Sequence, residues 1–417
     1  MKPIRTKPLA RTAAAGLAAA SLAIAAACSS GDDDAGDDTF TWWDPYPQHE
    51  DGSPWAERVS ACGEEAGVAI ERTAMDTTDL TNQALLAAQE GTSPDLIALD
   101  NPAVSTLADT EMLTSVDELG LDTSGIDQNL LDAGVVDGTA YGVPIGANTL
   151  SLYYNAEILD AAGVDPDSIV DWDSLTAALE QITDNGDKGI TFAAIGTEEG
   201  SFQFLPWFWG SGADLRDLDS PEAVAALELW TGWVQDGLAP NSVLSNSQNT
   251  TWEEFLTGEF GFALNGTWQV NSAASADFAT GVVQIPAADG GIAPAPTGGE
   301  FIVAPVQADT DRYDTTRQII ECMTTTDGYV ETATTFAYYI PPTVEAQEAL
   351  LESNPELEPW VEAVQGAKGR TSDNLGTDYP LISEPLWTAV QNALSGSATP
   401  QEALEQAQAA AEAATAD

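Results

Sequence analysis

The sequence predicts an α/β protein in which a largely parallel sheet is covered by helices on both faces. Between residues 40 and 101, short aromatic or aliphatic stretches alternate with capped, amphipathic stretches, as in repeated strand, helix, strand units. From residue 139 onward the helical stretches are longer and are separated by loops rich in glycine and aromatic residues. About 380 residues follow the N-terminal segment, which is enough for two domains with cores of their own.

The first helix is predicted from its cap and its periodicity. In SPWAERVSACGEEAG at 53–67, Ser53 takes the N-cap position and Pro54 the first helical position. Four apolar residues then fall on one face by their spacing of 4, 3 and 4: Trp55, Val59, Cys62 and Ala66. The other elements predicted in this part are strands at 40–46, 68–73 and 93–100 and a helix at 77–90.

The second part is assigned by the same signals. A helix is predicted at 220–240, with Ser220 and Pro221 at its start and Gly237 at its end. The aromatic segment FLPWFWGSGAD at 204–214 shows no helical period and is predicted to be a loop. Further predictions are a short helix, turn and strand at 251–270, a loop at 286–299, a strand at 300–306 and helices at 314–323, 383–394 and 400–415.

The N terminus predicts export. Residues 1–27 combine four basic side chains with an apolar stretch of small residues that is too short to be a lasting membrane span, which is typical of a cleaved signal. Three alanines before Cys28 resemble a bacterial lipobox, in which the cysteine is lipidated, although Ala25 stands where leucine is usual. A plain secretory signal is the alternative. Residues 28–38 are predicted to be an acidic flexible tether.

The charge balance is strongly acidic. The chain has 67 Asp and Glu against 12 Lys and Arg, and four of the basic residues belong to the export signal. Such a field repels nucleic acid and anionic lipid headgroups, so we expect no nucleic acid partner and membrane contact only through the lipid. We interpret the charge as a solvated surface suited to salty or alkaline surroundings; a cation-binding function is the alternative.

No catalytic or metal-binding signature is present in the sequence. It has one histidine, His49, and lacks a phosphate loop, a nucleophile elbow and Cys/His metal spacing, so we expect no metal and no cofactor. DPDSIVDWD at 165–173 is predicted to be a solvated loop, because acidic clusters arise by composition in such a chain; a metal site built from oxygen ligands is the alternative there. A glycoside hydrolase needs only two facing carboxylates, but the elements show no eightfold barrel rhythm. We therefore predict that the protein is not an enzyme.

Six segments in order resemble the landmarks of the family 1 extracellular solute-binding proteins, the substrate-capturing lipoproteins of carbohydrate ABC importers related to maltose-binding protein. They are YGVPIGANTLSLYYN, SPEAVAALELWTGWVQDGLAP, FLTGEFGFALNGTW, GGEFIVAPV, YIPPT and LWTAVQNALSGSATPQEAL. The resemblance spans residue 39 to the C terminus. It implies two α/β lobes joined by three hinge crossovers, with a sugar held in the cleft between them and a hinge motion that closes the lobes.

The resemblance also implies the domain boundaries. The first lobe is expected to comprise 39–147 and 300–343, and the second lobe 148–299 and 344–417, with crossovers at YGVPIG, GGEF and IPPT. The cysteines left after Cys28 are Cys62 and Cys322, either a pair in an oxidising compartment or two separate buried thiols. Because the resemblance assigns both of their helices to one lobe, we predict a disulfide.

Tryptophans outside any periodic face are the candidate ligand contacts, because an indole ring matches the apolar face of a sugar. The resemblance puts PWFWGSG where the family often has a ring-stacking aromatic and NGTW where the second lobe meets the ligand; burial in the core is the alternative for each ring. Asp44, Asp100 and Asn101 end first-lobe strands and are predicted to bind hydroxyls. Arg370 either contacts the ligand or ties down acidic surface around it. The tryptophan candidates are Trp43, Trp207, Trp209 and Trp268.

These observations predict a lipid-anchored, monomeric substrate-binding protein on the outer face of the cytoplasmic membrane. It would capture a neutral sugar or oligosaccharide and deliver it to the membrane subunits of an ABC permease. The alternatives are a binding protein for a cationic or peptide-like solute on the same scaffold, or a secreted glycoside hydrolase.

Overall fold

The computed structural model describes residues 39–337 and 339–416, so the predicted signal, the tether and Cys28 lie outside the described residues. Twelve strands form three sheets within these two ranges. They are β1 (Thr39–Asp44), β2 (Ala69–Ala74), β3 (Leu96–Asp100), β4 (Leu113–Thr114), β5 (Val135–Val136), β6 (Thr139–Ala140), β7 (Val143–Pro144), β8 (Leu150–Asn155), β9 (Lys188–Thr191), β10 (Phe260–Gly266), β11 (Thr280–Val283) and β12 (Glu300–Pro305).

Seventeen α-helices lie in the same described ranges. They are α1 (Pro54–Glu65), α2 (Thr77–Glu90), α3 (Asn101–Asp109), α4 (Val116–Leu119), α5 (Gln128–Leu131), α6 (Ala156–Ala162), α7 (Trp172–Asn185), α8 (Glu198–Gly210), α9 (Pro221–Gln235), α10 (Gln248–Phe255), α11 (Val270–Ala274), α12 (Tyr313–Met323), α13 (Thr326–Thr332), α14 (Val344–Ser353), α15 (Glu358–Gln365), α16 (Asp378–Leu394) and α17 (Pro400–Thr415).

The first lobe is built around a sheet with the strand order β2, β1, β3, β12, β4, in which β7 also pairs with β12. Strands β1, β2 and β3 run parallel, as the alternating strands and helices predict. Strand β12 runs antiparallel to its neighbours and comes from a point some 200 residues later in the chain. It completes the centre of the sheet and begins beside the end of β3.

The second lobe is built around a sheet with the strand order β11, β8, β10, β9. Its core is rich in aromatic side chains, and the rings of Phe192 and Trp230 lie 4.0 Å apart between centroids. Helices α16 and α17, near the C terminus, pack into this core, and the two-stranded β5–β6 hairpin stands apart from both larger sheets. The molecule is thus a two-lobed α/β protein.

Local capping accounts for the helices that the sequence predicts best. In α1, the Ser53 side chain accepts a hydrogen bond from the Ala56 amide at 3.3 Å, and the apolar face is buried. In α9, Ser220 accepts from the Ala223 amide, and Gly237, just beyond the helix, has a φ of +77° that favours glycine. Both helix predictions are confirmed.

The loop predicted at 204–214 is corrected to a helix for most of its length, because α8 extends through this segment to Gly210. Every residue from Gly200 to Trp209 is buried, so the helix has no polar face over this stretch and shows no amphipathic period. Pro206 lies inside the helix and adds a further signal against helix. The predicted loop is therefore wrong for a physical reason: the periodicity test fails on a helix buried on all sides.

The three connections between the lobes touch one another. Ala147 and Ile340 exchange two backbone hydrogen bonds of 2.8 Å, while Asn148 donates to the Gly298 carbonyl at 3.2 Å. Gly146 has a φ of +147°, and a Cβ there would lie 2.6 Å from the Tyr339 Cβ. Only glycine fits this close approach.

Helices α1 and α12 of the first lobe are joined covalently. Cys62 and Cys322 form a disulfide with the sulfur atoms 2.09 Å apart. Cys62 lies in the apolar cluster that also contains Trp42, Trp55 and Met323. The bridge thus ties the start of the first lobe to a helix that follows β12.

Candidate functional site

A buried arginine links the two lobes. Arg370, between α15 and α16, is 5% exposed, and its Nη1 donates to Glu198 Oε1 at 2.9 Å. Its Nη2 donates to Asp100 Oδ1 at 3.3 Å and to Asn101 Oδ1 at 3.1 Å. Glu198 begins α8 of the second lobe, whereas Asp100 and Asn101 stand at the end of β3 and the start of α3 in the first lobe. One guanidinium group therefore bridges carboxylates from both lobes.

Helix α16 supplies further partners to the same cluster. The Tyr379 hydroxyl donates to Glu198 Oε1 at 2.6 Å, and Ser383 Oγ donates to Glu198 Oε2 at 2.5 Å. The Phe202 ring, from α8, lies 5.1 Å from the Arg370 guanidinium carbon. Both terminal nitrogens of Arg370 are thus hydrogen-bonded to protein groups, whereas its Nε is buried without a partner in the described part of the chain.

Burial and charge set the protonation of this cluster. Burial raises the pKa of Asp100 against the opposing effect of Arg370, and the nearby Glu198 raises it further. Burial alone lowers the pKa of Arg370, but the charges of Asp100 and Glu198 outweigh it and raise the pKa above its ordinary value. Arg370 therefore stays a cation, and that cation is already neutralised by carboxylates.

A cavity of about 230 Å³ opens against this bridge between residues of both lobes. Apart from the charged groups, its walls are proline and aromatic side chains, and the Trp387 ring is half-buried. Such a combination of apolar surface and a few fixed polar groups is typical of small-molecule sites. The residues around the cavity are Asp100, Pro102, Glu198, Arg370, Tyr379, Pro380 and Trp387.

The structure brings Asp100, Asn101 and Arg370 together, as three of the candidate site residues. Asp44, by contrast, is completely buried and accepts hydrogen bonds from protein groups only, so its assignment as a ligand contact is corrected. Its Oδ2 accepts from the indole nitrogens of Trp42 and Trp55, both at 3.0 Å, and from Arg72 Nε at 2.6 Å. Asp44 holds the end of β1 in place and has no access to a ligand.

Trp207 and Trp209 are also corrected, because α8 carries both into the second-lobe core. Trp207 is 0% exposed, and the ring of Trp233 meets it edge to face at 5.0 Å between centroids. Trp209 is 6% exposed, with the Lys368 ammonium group 5.2 Å from its ring centroid. Protein atoms cover both rings, which leaves no face on which a sugar can stack.

The two remaining tryptophan candidates are half-buried. Trp268 lies in a turn after β10, and its ring centroid is 6.4 Å from that of Phe202, next to Arg370. Trp43 packs against the first-lobe cluster that contains Ile97 and Leu99. Trp268 therefore borders the Arg370 cluster through one ring, whereas Trp43 packs on the aliphatic residues of β3.

Sequence reasoning missed Glu198, Tyr379, Ser383 and Trp387. A signal for the last three was present, because Tyr379, Ser383 and Trp387 are spaced four residues apart and share one face of α16. Glu198 had no such signal among 67 acidic residues. Its role depends on Arg370, which lies 172 residues away.

No group of three His, Cys, Asp or Glu side chains in the described part of the chain is arranged to hold a metal ion. None of the helices in residues 39–337 and 339–416 is long and apolar enough to cross a membrane.

The two lobes, their three connections and the cavity between them define a ligand-capturing protein of the periplasmic-binding type. The chain belongs to the family of bacterial extracellular solute-binding proteins, which matches residues 57–359. A binding protein of Brucella abortus (strain 2308) is 26% identical over 151 residues, which are 34% of this chain and 36% of that protein. The arabinooligosaccharide-binding protein of Halalkalibacterium halodurans is 34% identical over 101 residues, 22% of this chain and 21% of that protein. The chain thus matches about a third or less of the length of these relatives.

Solved structures share the whole fold. The GacH receptor of Streptomyces glaucescens, determined with acarbose, superposes with a TM-score of 0.76 at 22% identity, over 91% of this chain and 98% of that one. A solute-binding protein of Thermotoga lettingae bound to α-D-tagatose gives 0.75 at 22% identity, over 90% and 99% of the two chains. UgpB of Mycobacterium tuberculosis bound to glycerophosphocholine gives 0.77 at 20% identity, over 91% and 98%. These similarities establish the two-lobed fold.

Proposed function

We propose that this chain captures a neutral sugar or oligosaccharide between its lobes and delivers it to the membrane subunits of an ABC permease, without chemical change to the sugar. The observation that carries the proposal is the bridge from Arg370 to Asp100 in one lobe and Glu198 in the other, beside a cavity walled by Trp387. Fixed carboxylates accept hydrogen bonds from hydroxyl groups, and an indole ring packs on the apolar face of a sugar.

The charges of the cluster favour a neutral ligand. A phosphate or carboxylate ligand needs an unpaired cation, but Arg370 is shared between two carboxylates. Lys368, the basic residue nearest to it in the sequence, pairs with Asp373 at 2.7 Å. An anion entering the cavity would therefore meet Asp100 and Glu198 without a free positive charge.

The ligands of similar proteins support a carbohydrate more than any other class. Arabino-oligosaccharide, acarbose and tagatose are named for three of them, and glycerophosphocholine for one. Glycerophosphocholine carries an anionic phosphodiester, and such a ligand is disfavoured here because Arg370 is already paired with two carboxylates. We assign the ligand contacts to Asp100, Arg370, Trp268 and Trp387, and we infer that Asn101, which is 1% exposed, positions Arg370 through their hydrogen bond.

The domain organisation belongs to the same proposal. We propose a first lobe of 39–147 and 300–343 and a second lobe of 148–299 and 344–417, which close around the ligand as a monomer by bending where the chain crosses between them. The contacts of Gly146 with Tyr339 and of Ala147 with Ile340 support a hinge at this position.

The lipid anchor rests on the sequence around Cys28. We propose that Cys28 carries lipid and holds the protein at the outer face of the cytoplasmic membrane through the tether. Cys28→Ala should release the protein into the medium, and cell fractionation measures the release. Unchanged membrane association of the variant would disprove the anchor.

The test of ligand capture is a thermal-shift screen followed by calorimetric titration. The panel contains D-tagatose, maltose, arabinobiose, acarbose, glycerophosphocholine, spermidine and a tripeptide, because a ligand of the folded state raises the melting temperature. Trp387→Ala should weaken binding of the best sugar by about 1–3 kcal/mol, and Leu381→Ala, an exposed position on the same helix, should not. Binding of spermidine, tripeptide or glycerophosphocholine but no sugar would reject the carbohydrate assignment.

A further inference from the structure

A second buried carboxyl group lies beside the Arg370 cluster. Glu300 is the first residue of β12 and directly follows Gly299 in the second connection between the lobes. Its Cα partner on the neighbouring strand is Asp100. Directly paired residues of adjacent strands put their side chains on the same face of a sheet, so the Glu300 carboxyl group lies beside that of Asp100, which lines the cavity.

Two phenols hold one oxygen of Glu300. The Tyr46 hydroxyl donates to Oε2 at 2.6 Å, and the Tyr339 hydroxyl donates to the same atom at 2.8 Å. Tyr46 follows β1, whereas Tyr339 stands in the third connection, one residue before Ile340. Within the described residues, Oε1 of Glu300 accepts no hydrogen bond. The carboxyl group is thus fixed by one oxygen and has a second oxygen available.

The carboxylates around Glu300 place negative charge near its carboxyl group. Burial and then the charge of Asp100 raise the pKa of Glu300 to about 7, against the opposing effect of the two phenols. Each of its acidic neighbours is already paired with an arginine, and no arginine pairs with Glu300 itself among the described residues. The charged groups on the elements around it are Asp100 with Arg370 and Glu198, and Asp44 with Arg72.

We propose that Glu300 is a specificity-determining residue that accepts a hydroxyl group of the bound sugar through Oε1 and loses a proton to solvent as it does so. In the empty cleft a proton on Glu300 relieves the repulsion from Asp100. When the sugar binds, its hydroxyl keeps its own proton and donates a hydrogen bond to the carboxylate, and the proton of Glu300 leaves to solvent. No covalent bond forms or breaks. The inference rests on the proposed capture of a sugar.

Such a residue couples affinity to pH. If one proton with a pKa near 7 is released on binding, affinity rises about tenfold between about pH 6 and about pH 8, and about half a proton is released at pH 7. The phenols contribute specificity in a second way, because they hold Oε2 and leave a single acceptor direction for the ligand.

The first experiment needs no ligand. Infrared difference spectra of the mature protein between about pH 6 and about pH 8 should show loss of a carboxylic acid carbonyl band. Glu300→Gln should remove this band, and Glu259→Gln, an exposed acid of the second lobe, should retain it. If the wild type and Glu300→Gln difference spectra are identical, Glu300 does not change its protonation between about pH 6 and about pH 8, and the inference is overturned, whatever the protein binds.

The second experiment uses calorimetric titration with D-tagatose and maltose at about pH 7, in phosphate and in Tris buffer, whose ionisation enthalpies differ. Proton release makes the observed enthalpy depend on the buffer, and Glu300→Gln should abolish this dependence and flatten the affinity between about pH 6 and about pH 8. Sugar binding without proton release in the wild type would overturn the inference and leave sugar capture intact. Binding of neither sugar, nor of any other sugar in the panel, would overturn the proposed function, and the ligand contact of Glu300 with it.

Discussion

Arg370 Nη2 and Asp100 Oδ1 lie 3.3 Å apart across the boundary between the two lobes. The same guanidinium group reaches Glu198 Oε1 at 2.9 Å, so one cation holds a carboxylate of each lobe. With only 5% of Arg370 exposed, little water is available to replace a lost partner. The alignment of the cleft therefore depends on both carboxylates.

Asp100→Asn should weaken this link. The variant removes a negative charge from one partner of the buried Arg370 guanidinium group, and we expect the free energy of unfolding to fall by about 1–3 kcal/mol in urea titrations. The matched control is Glu321→Gln, which removes one acid from the exposed i, i+4 pair with Arg317 and should cause no measurable change. Equal effects of the two substitutions would show that the interlobe pair adds nothing to stability.

Trp207→Phe tests whether this ring is structural. Because Trp207 is packed against Trp230 and Trp233 with no exposed surface, removal of the larger ring should leave a cavity and lower the free energy of unfolding by about 2–4 kcal/mol. Sugar affinity should be unchanged in the folded variant, measured by calorimetric titration. A variant with wild-type stability and lost sugar affinity would restore Trp207 as a ligand contact.

The disulfide between Cys62 and Cys322 encloses a loop with a sequence separation of 260. Thiol titration of the denatured, unreduced Cys28→Ala protein should find no free thiol. Cys62→Ala/Cys322→Ala should lose about 3–5 kcal/mol of stability, because the unfolded chain regains loop entropy. Two reactive thiols in the denatured protein would show that the cysteines are separate.

Glu300 should make stability depend on pH. Its pKa is about 7 in the folded protein and near 4.5 when unfolded, so the folded state holds the extra proton between these values. Stability is therefore greatest below about pH 4.5 with respect to this group and falls by on the order of 2–4 kcal/mol as the pH rises through 7. The difference between wild type and Glu300→Gln in urea titrations isolates this effect. A constant difference across the range would contradict it.

The part of the fold that sequence could predict is the part decided by neighbours along the chain. Ser53 and Pro54 begin α1 through a local hydrogen bond and a preset φ, and the Trp55, Val59, Cys62 face follows from helical period. Helix α8 could not be predicted from helical periodicity, because a segment buried on every side has no contrast between a polar and an apolar face. The same burial turns Trp207 from an apparent loop residue into a core residue.

The sequence could predict those site residues that lie directly after a strand. Asp100 and Asn101 follow a buried strand, where ligands of α/β sheets are bound, and Arg370 is one of few basic residues in an acidic chain. Glu300 offered no comparable signal, because its partner Tyr46 lies 254 residues away. Asp44 ends a strand as Asp100 does, yet Arg72 and two indoles saturate it. Sequence alone does not distinguish a strand-end acid that is satisfied from one that is open.

The position of β12 sets the order in which the molecule can be assembled during synthesis. This strand lies between β3 and both β4 and β7 in the first-lobe sheet, yet it is translated after every strand of the second lobe. The first 299 residues emerge from the ribosome without the strand that joins β3 to β4, so the first-lobe sheet is completed only after every strand of the second-lobe sheet has been made. A nascent chain of this design remains incompletely folded until most of it has been made. An unfolded chain can pass through an export channel that is too narrow for the folded protein.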